Sequence, residues 1–489
     1  MTALVAGLTL PLLAAFAAIA LPMRARVPAA LLGAGLTLAA SLWLAVVVWQ
    51  TGPVTLSLGG WQPPIGIALR ADGLGAALGV MTALVMTAVA LAARHEMAAS
   101  VAGPRAGFGF WPLMLLLWAT MNAAFVSRDL FNLYVVLELI TLSAVALVAI
   151  SGKAEAIAAA LRYLLFALAG SLLYLAGVVL TYAAHGTLDI SLLAARMAAP
   201  SDALALGLMT AGLLVKTALF PFHVWLPHAH SAAPAPASAL LSALVPKASL
   251  LILLRLWFEA MPDLAAPAAL LTLASLGAMA VIWGGLLALA QARLKLIVAY
   301  STVAQLGYIF LVFPLAGGDG GAQVWAAGAW TGAIFQTLSH GLAKAAMFLV
   351  AGIYLVAVGS DRLSDLRGMA RALPMTGFAF ALASITLMGL PPSGGFTAKY
   401  LLMTAAFASG QWAWALVLAA GGLLAAAYLY RPLAAIFARE NAVAPRAIPR
   451  SWQAIPLGLA VLSVALGLLS SVPFEFLQIG RPDPAAEGL

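Results

Sequence analysis

Fourteen apolar stretches, each long enough to cross a membrane as a helix, follow one another along this chain of 489 residues. About 20 apolar residues in an α-helix span the roughly 30 Å hydrocarbon core of a bilayer. Lipid offers no hydrogen-bond partner, so the backbone of each stretch must satisfy itself within a helix. The sequence therefore predicts an all-α polytopic membrane protein with about 14 transmembrane helices, near residues 3–22, 28–50, 72–93, 107–126, 130–150, 157–183, 203–223, 236–258, 266–289, 296–315, 323–357, 374–408, 411–432 and 452–472.

The composition agrees with this class and excludes several others. Hydrophobic residues make up 64% of the chain and charged residues 8%, with a mean hydropathy of +1.06, whereas soluble domains are about 25% charged. The chain has no cysteine, which excludes disulfides, thiolate metal sites, iron–sulfur clusters and cysteine nucleophiles. It also lacks an H-E-x-x-H motif and a phosphate-binding glycine loop after a strand. We therefore expect no cofactor, no metal site and no nucleic-acid partner.

The basic residues predict how the helices are oriented. With the N-terminus outside, 15 of the 24 Lys and Arg residues fall on the inner side, Lys295 among them, and five fall on the outer side, including Arg128 and Arg255. Inner loops are usually the basic ones, so this bias predicts that both termini lie outside, in a bacterial plasma membrane. The first apolar stretch is followed by its arginines, unlike a signal peptide, and we expect it to remain as the first helix.

Five ionisable residues lie inside the predicted helices: Glu138, Lys216, Lys247, Lys344 and Lys399. A charge at the bilayer centre costs about 2.5 to 3.5 kcal/mol, and such residues often mark proton or ion pathways. Burial can bring a lysine close to losing its proton, and a nearby carboxylate controls that proton. Each residue could instead simply satisfy a neighbouring helix, but five together favour a proton relay.

Two of these lysines lie beside a break in their helix. Pro221 follows Lys216 in "LLVKTALFPFHVW", and "GLPPSGGFTAKY", residues 389–400, places two prolines and two glycines just before Lys399. Broken membrane helices free backbone groups that protein or cavity water must satisfy. A plain proline kink is the alternative, but the pairing of a break with a lysine occurs once in each half of the chain.

A faint internal repeat accompanies these breaks. Trp118 precedes Arg128 by ten residues, and Trp283 precedes Arg293 by ten. Helices 4–8 and 9–13 would then be two five-helix units. Because five is odd, the units would have opposite orientations in the membrane.

Five motifs in series resemble one known family. The segments "DLFNLYVVLEL", "VKTALFPFHVWLPHAHSAAPAPASALLSALVPKASLLILLR", "ARLKLIVAYSTVAQLGYI", "LSHGLAKAAMFLVAG" and "GLPPSGGFTAKYLL" are similar to the antiporter-like subunits of Mrp-type multisubunit cation/proton antiporters, respiratory complex I and membrane-bound hydrogenases. The match spans about residues 60–430, and it is strongest to the D-type subunits of Mrp antiporters.

The resemblance implies a fold and its division. It implies about 14 transmembrane helices, two inverted five-helix repeats, broken helices 7 and 12, and a hydrated polar axis. The expected boundaries are 1–106 for helices 1–3, 107–258 for the first repeat, 259–432 for the second, and 433–489 for helix 14 with a short tail.

The resemblance also implies roles for the buried residues. By motif position, Glu138 corresponds to the helix 5 glutamate, Lys216 to its helix 7 partner and Lys247 to the central helix 8 lysine. Lys399 corresponds to the helix 12 residue near the outer exit, and His340 and Lys344 match the helix 11 pattern.

The sequence leaves two possible roles open for the histidines near Pro221 and for Asp72. His223, His228 and His230 lie close together in the sequence, but no carboxylate or cysteine accompanies them. We therefore favour His223, beside the break, as an inner uptake point for protons over a three-histidine metal site. Asp72 either lines an ion path or caps its helix, and we favour the cap.

These features together predict a proton-translocating, antiporter-like subunit of a multisubunit Na+/proton antiporter without a catalytic site of its own. The alternative is the same subunit in a redox-driven complex of the NADH:quinone oxidoreductase or hydrogenase type. A polytopic membrane enzyme and a scaffold subunit are more distant alternatives. The expected partners are other membrane subunits, the lipid bilayer, protons and Na+.

Overall fold

Successive helices cross the molecule as the apolar stretches predict. The computed structural model describes residues 1–99, 103–196, 200–317, 323–439 and 444–481. Within these residues, 13 helical segments are long and apolar enough to cross a membrane. The remaining stretch, 374–408, forms two shorter helices, Pro374–Met388 and Gly394–Ala408. The prediction of an all-α polytopic membrane protein with about 14 spans is confirmed.

The spans are numbered 1–14 in chain order. Eleven have one principal helix each: Thr2–Ala20, Met23–Thr51, Gly73–Ala99, Gly103–Val126, Leu130–Ala149 and Ala154–His185 for spans 1–6, Pro267–Ala290, Leu294–Ile309 and Val324–Val358 for spans 9–11, and Trp412–Ile436 and Arg450–Leu468 for spans 13 and 14. The others are divided: Pro200–Thr217 and Trp225–Ala232 in span 7, Ala235–Ala243 and Val245–Arg255 in span 8, and Pro374–Met388 and Gly394–Ala408 in span 12. Short helices also occur at Ile190–Leu193, Val312–Ala316, Met369–Ala372 and Ser471–Leu477.

A small hairpin between spans 2 and 3 is the one feature of β structure in the described residues, apart from isolated bridges. Strands Val54–Ser57 and Ala68–Ala71 pair antiparallel, with Val54 opposite Ala71. The chain returns to this hairpin after span 14, where Ile479 accepts a hydrogen bond from the Gly73 backbone at 2.8 Å. The sequence analysis did not predict the hairpin, because both strands are short and lie beside a long apolar stretch.

The breaks predicted in spans 7 and 12 are present, and span 8 contains a third. Its first helix ends before Leu244, whose φ of −120° and ψ of −53° depart from helical values. Pro246 then occupies the start of the next helix, where its missing N–H is tolerated. The break in span 8 was not predicted, although Pro246 is its signal in the sequence.

The backbone supports the predicted five-span units. In the first unit, the link between spans 4 and 5 bonds to the segment after span 6, with the Ile190 N–H donating to the Arg128 carbonyl at 2.8 Å. In the second, the link between spans 9 and 10 bonds to the segment after span 11, with the Leu294 N–H donating to the Asp361 carbonyl at 2.7 Å. The two links occupy the same place in their units and are separated by five crossings, as an inverted repeat requires.

The centre of the bundle is formed by spans 8, 10 and 11. Every residue in the most apolar part of span 8 is buried. Most residues in the most apolar parts of spans 10 and 11 are buried as well. Spans 1, 2, 6, 13 and 14 have largely exposed, apolar outer faces. Such faces suit lipid or neighbouring membrane helices. Each of the three central spans carries several buried polar residues.

Candidate functional site

The first polar group lies between spans 5, 6 and 7. Lys216 Nζ donates to Glu138 Oε1 at 3.2 Å and to Thr141 Oγ1 at 3.0 Å. Ser171 Oγ also donates to the Glu138 carboxylate. Span 5 begins at the N-cap Asp129 and places Glu138 and Thr141 on adjacent turns of one helical face. The predicted Glu138–Lys216 pair is therefore formed, and two hydroxyls that were not predicted complete it.

The break in span 7 places Lys216 at the end of its helix. The helix stops at Thr217, and Ala218 has a φ of 58°, which ends the regular backbone. A cation in the last turn interacts favourably with the negative end of the helix dipole. Thr217 Oγ1 donates to Ser249 Oγ at 2.9 Å, so the end of this helix is joined directly to span 8.

The second polar group lies at the centre of the bundle. Lys247 Nζ donates to the Ser242 carbonyl at 2.7 Å and lies 2.9 Å from His340 Nδ1. The break in span 8 frees this carbonyl from its helical partner. A charged lysine has only donors, so Nδ1 then accepts and the proton of His340 resides on Nε2. His340 Nε2 has no hydrogen-bond partner among the described residues.

Lys344 lies one turn along span 11 from His340 and faces span 10. Its Nζ donates to the Val298 carbonyl at 2.8 Å and contacts Ser301 Oγ. The next hydroxyl of span 10, Thr302 Oγ1, is 2.7 Å from Ser242 Oγ and so returns to the Lys247 group. Lys247 and Lys344 therefore belong to neighbouring polar contacts that meet at Ser242, Ser301 and Thr302. Two lysines that repel each other favour a state in which one of them is neutral.

The third polar group surrounds Lys399 at the break of span 12. Lys399 Nζ donates to the carbonyls of Leu387 and Met388 at 3.0 and 3.1 Å and lies 4.5 Å from the centre of the Tyr308 ring. These carbonyls are free because the first helix of span 12 ends at Met388, with Gly389 at a φ of 79°. The break therefore supplies acceptors for a lysine that has no acidic partner among the described residues.

A glutamine pair on spans 10 and 11 reaches the Lys399 group. Gln336 Nε2 donates to Gln305 Oε1 at 2.8 Å, and Gln305 Nε2 donates to the Leu387 carbonyl at 2.9 Å and to Tyr428 Oη at 3.2 Å. The Leu387 carbonyl also accepts from Lys399. The sequence analysis missed this link, because it searched for charged residues and passed over polar residues in apolar helices.

The predicted relay residues other than His223 thus belong to three groups of buried polar side chains, and we call this series the line from Glu138 to Lys399. Its members are Glu138, Lys216, Lys247, His340, Lys344 and Lys399. The Thr217–Ser249 hydrogen bond joins spans 7 and 8 between the first and second groups. His223 lies in the break of span 7, with its ring centre 5.7 Å from that of Phe220 and its Nδ1 without a hydrogen-bond partner among the described residues.

The three histidines after Lys216 occupy different environments. His223 is nearly buried, His228 is exposed and His230 is completely buried. Within the described residues, no three side chains of His, Cys, Asp or Glu come together as metal ligands would. The structure therefore does not gather these histidines into one site.

Asp72 performs the predicted capping function and also belongs to a buried ion network. Its Oδ1 accepts the Gly75 N–H at 2.7 Å, and its Oδ2 pairs with Arg255 at 3.0 Å. Arg255 also contacts Glu259, which pairs with Arg128. Burial raises the pKa of Asp72, but the Arg255 guanidinium, the Gly75 N–H and Arg128 together hold this pKa below its ordinary value.

Several basic residues that were assigned to the two membrane surfaces are in fact buried. Arg128 and Arg255 belong to the network just described, and Lys295 lies within span 10, where its Nζ donates to the Ala233 carbonyl at 2.6 Å. The sequence analysis placed them by their positions at or near the ends of apolar stretches. Such a position does not show whether another chain segment covers the side chain.

Comparison with known proteins gives a consistent result. A family model described as NADH:quinone oxidoreductase/Mrp antiporter, transmembrane, matches residues 127–425, a range that contains every residue of the line from Glu138 to Lys399. The N subunit of the NADH-quinone oxidoreductase of Desulforudis audaxviator is 36% identical over 446 residues, 89% of this chain and 85% of that protein. The D-type subunit of the Na(+)/H(+) antiporter of Alkalihalophilus pseudofirmus is 31% identical over 391 residues, 78% of this chain and 76% of that protein.

Solved structures show the same fold. A chain of the Mrp complex from Dietzia sp. superimposes with a TM-score of 0.88 at 27% identity, covering 97% of this chain and 96% of that chain. A chain of respiratory complex I from Thermus thermophilus, with bound aureothin, gives a TM-score of 0.77 at 29% identity, covering 97% and 98%. Both are membrane subunits of multisubunit assemblies.

Proposed function

Because the chain belongs to the NADH:quinone oxidoreductase/Mrp antiporter family of membrane subunits, we propose that it conducts protons within a multisubunit Na+/proton antiporter. It is an antiporter-like, multi-pass membrane subunit. The observation that carries the proposal is the set of three buried polar groups, around Glu138–Lys216, Lys247–His340 and Lys399, in an otherwise apolar bundle. Helix packing does not require so many buried ionisable side chains. Their arrangement suits proton transfer between groups that water can bridge.

Each lysine has a distinct role in this proposal. Lys216 exchanges its proton under the control of Glu138, and Lys247 with His340 carries protons through the centre. Lys344 repels charge on Lys247 and so favours onward transfer. Lys399 delivers the proton at the break of span 12, on the side that the count of basic residues predicts to be outer.

Glu138 is the point of contact with a neighbouring subunit in this proposal. Its side chain is 19% exposed, whereas that of its partner Lys216 is 6% exposed. Around it, span 5 exposes Val135, Leu139 and Leu142. A carboxylate at this depth is costly beside lipid, so a neighbouring membrane helix is the more favourable cover. Movement of that helix would change the Glu138–Lys216 separation and the charge of Lys216.

The proposed setting is a bacterial plasma membrane with both termini outside, in contact with other membrane subunits. The repeat boundaries remain those expected from the sequence, 107–258 and 259–432. A redox-driven complex is the second candidate, favoured by the 36% identity to the N subunit of an NADH-quinone oxidoreductase. Mass spectrometry of the gently solubilised assembly distinguishes the two, because redox partners carry cofactor-binding subunits that an antiporter lacks.

The test is replacement of Glu138, Lys216, Lys247 and Lys399 by alanine, one at a time, in the assembled complex. Proton movement is measured in inverted membrane vesicles with a pH-sensitive dye, and tolerance to Na+ and alkali is measured in cells. We expect each change to reduce transport by about tenfold or more. Lys153→Ala, at an exposed position before span 6, is the control for loss of a lysine. Full transport in all four variants, with normal assembly, would rule out the relay.

A further inference from the structure

A buried charged cluster outside this line lies where spans 3, 7, 8 and 10 meet. Glu96 Oε1, on span 3, accepts the Ala235 N–H at the start of span 8 at 3.2 Å. Lys295 Nζ, on span 10, donates to the Ala233 carbonyl at 2.6 Å. The Lys295 backbone N–H lies 3.4 Å from Asp361 Oδ2, which also pairs through Oδ1 with Arg293. Glu96 and Lys295 therefore both hold the short link between spans 7 and 8.

His230 lies next to this link and has unused hydrogen-bonding capacity. Its ring is completely buried and lies 4.7 Å from the ring of Phe348. Neither ring nitrogen has a hydrogen-bond partner among the described residues. A buried imidazole without partners is unfavourable, so water or a transferring proton is needed to satisfy it. The His230 ring lies within electrostatic range of three lysines, Lys295, Lys344 and Lys247.

The cluster leads from the surface of the bundle to its centre. Arg94 is exposed and His95 is half-buried, so the chain reaches the surface within two residues of Glu96. Exposure then falls from 9% at Glu96 to 3% at Lys295 and to zero at His230, Lys247 and Lys344. His223, the uptake point suggested by the sequence, forms no ion pair with an acidic side chain among the described residues, and its Nδ1 has no hydrogen-bond partner there.

We propose that Glu96, Lys295 and His230 form the site at which a proton is taken up from the face that carries Arg94 and Arg293. The Glu96 carboxylate accepts a proton from water there, and the nearby cation of Lys295 favours its return to the charged form. The proton passes through water to a free ring nitrogen of His230 and from there to whichever of Lys344 and Lys247 is neutral. Glu96 returns to its charged form, so no other reactant is consumed. This site rests on the relay proposed above and supplies its proton.

The decisive variant is Glu96→Gln in the assembled complex. The glutamine oxygen can still accept the Ala235 N–H, so the link between spans 7 and 8 keeps its contact while the proton-binding group is lost. In vesicles with the Arg94 face exposed to a buffer of set pH, we expect the initial rate to fall about tenfold or more. The remaining rate should depend less on the pH of that buffer, which a purely structural role would not produce. Glu96→Asp should recover much of the rate.

His230→Gln should have a similar effect on the rate. The matched controls are Glu155→Gln and His228→Gln, which make the same chemical changes at exposed positions and should keep transport within about twofold of the original. The amount of assembled complex on a native gel shows whether a variant has folded.

Two results would overturn this inference. One is unchanged transport and unchanged pH dependence in Glu96→Gln. The other is a large loss in His223→Gln with none in His230→Gln, which would place uptake at the break of span 7. If either of these results is found while the alanine variants of Lys216 and Lys247 are inactive in the same assay, only the proposed uptake site is wrong. If those variants are active as well, the relay itself is wrong.

Discussion

The four lysines of the line are held in different ways, and the differences bear on what each can do. Lys216 has a carboxylate partner, whereas the direct acceptors of Lys247, Lys344 and Lys399 are carbonyls, hydroxyls and an imidazole. A neutral acceptor receives a hydrogen bond from a charged or an uncharged amine. These three lysines can therefore lose a proton without losing their contacts, whereas loss of the proton from Lys216 would remove its ion pair with Glu138.

Replacement of Lys216 by arginine separates charge from proton exchange. Arginine keeps the ion pair with Glu138 but holds its proton at all working pH values. We expect Lys216→Arg to assemble normally and to lose transport by about tenfold or more. Lys153→Arg, at an exposed position, is the control. Near-normal transport in Lys216→Arg, measured with the pH-sensitive dye, would show that this position supplies only a fixed charge.

Among the helical elements, the break of span 12 begins at Gly389, which lies beside the Lys399 side chain. Gly389 has a φ of 79°, and a Cβ there would lie 2.6 Å from Lys399 Cδ. Gly410 has a φ of 72° with open space around its Cβ position. Alanine at either position costs about 1–2 kcal/mol of backbone strain, but only at residue 389 must the Lys399 side chain also move.

We therefore predict that Gly389→Ala impairs transport more than Gly410→Ala does. Both variants should show a similar loss of thermal stability in detergent, since both place alanine at a positive φ. Only Gly389→Ala should displace the Lys399 amine from the Leu387 and Met388 carbonyls. Equal transport in the two variants would mean that the position of Lys399 is not critical.

The connection between spans 10, 11 and 12 gives a second prediction for the elements. Gln336→Leu removes the donor to Gln305 Oε1, which costs about 1–3 kcal/mol for the unpaired buried group. Gln305 then has no fixed position, and its contact with the Leu387 carbonyl beside Lys399 weakens. We expect lower transport in this variant. Gln453→Leu, at a buried glutamine of span 14 outside the line, should lose comparable stability and retain transport.

For the molecule as a whole, the Asp72, Arg128, Arg255 and Glu259 network joins the hairpin end of span 3 to spans 4 and 8. Arg255→Met leaves two buried carboxylates without this partner, and we expect it to cost about 3–5 kcal/mol. Arg293→Met breaks the Arg293–Asp361 pair, whose arginine side chain is 46% exposed, and should cost about 1 kcal/mol or less. Thermal unfolding in detergent measures both. Similar melting temperatures would contradict a structural role for the network.

Much of the site was predictable from the sequence because burial of charge is costly. Glu138, Lys216, Lys247 and Lys399 lie within apolar stretches, so their burial follows from composition alone, and the motifs gave their order. Glu96 and Lys295 were missed because each lies near the end of a stretch. At such positions a residue can be exposed or covered, and the sequence does not distinguish the two.

The sequence by itself determined the class of protein, the number of spans and the breaks in spans 7 and 12. These follow from local properties: an apolar segment of sufficient length must be helical in lipid, and proline or glycine interrupts it. Only the tertiary structure decided which polar groups meet. Contacts such as Gln305 with Leu387 or Glu96 with Ala235 join residues 82 and 139 positions apart, and helix packing alone sets them. For the same reason, the choice between His223 and His230 as the proposed uptake point depended on the folded bundle.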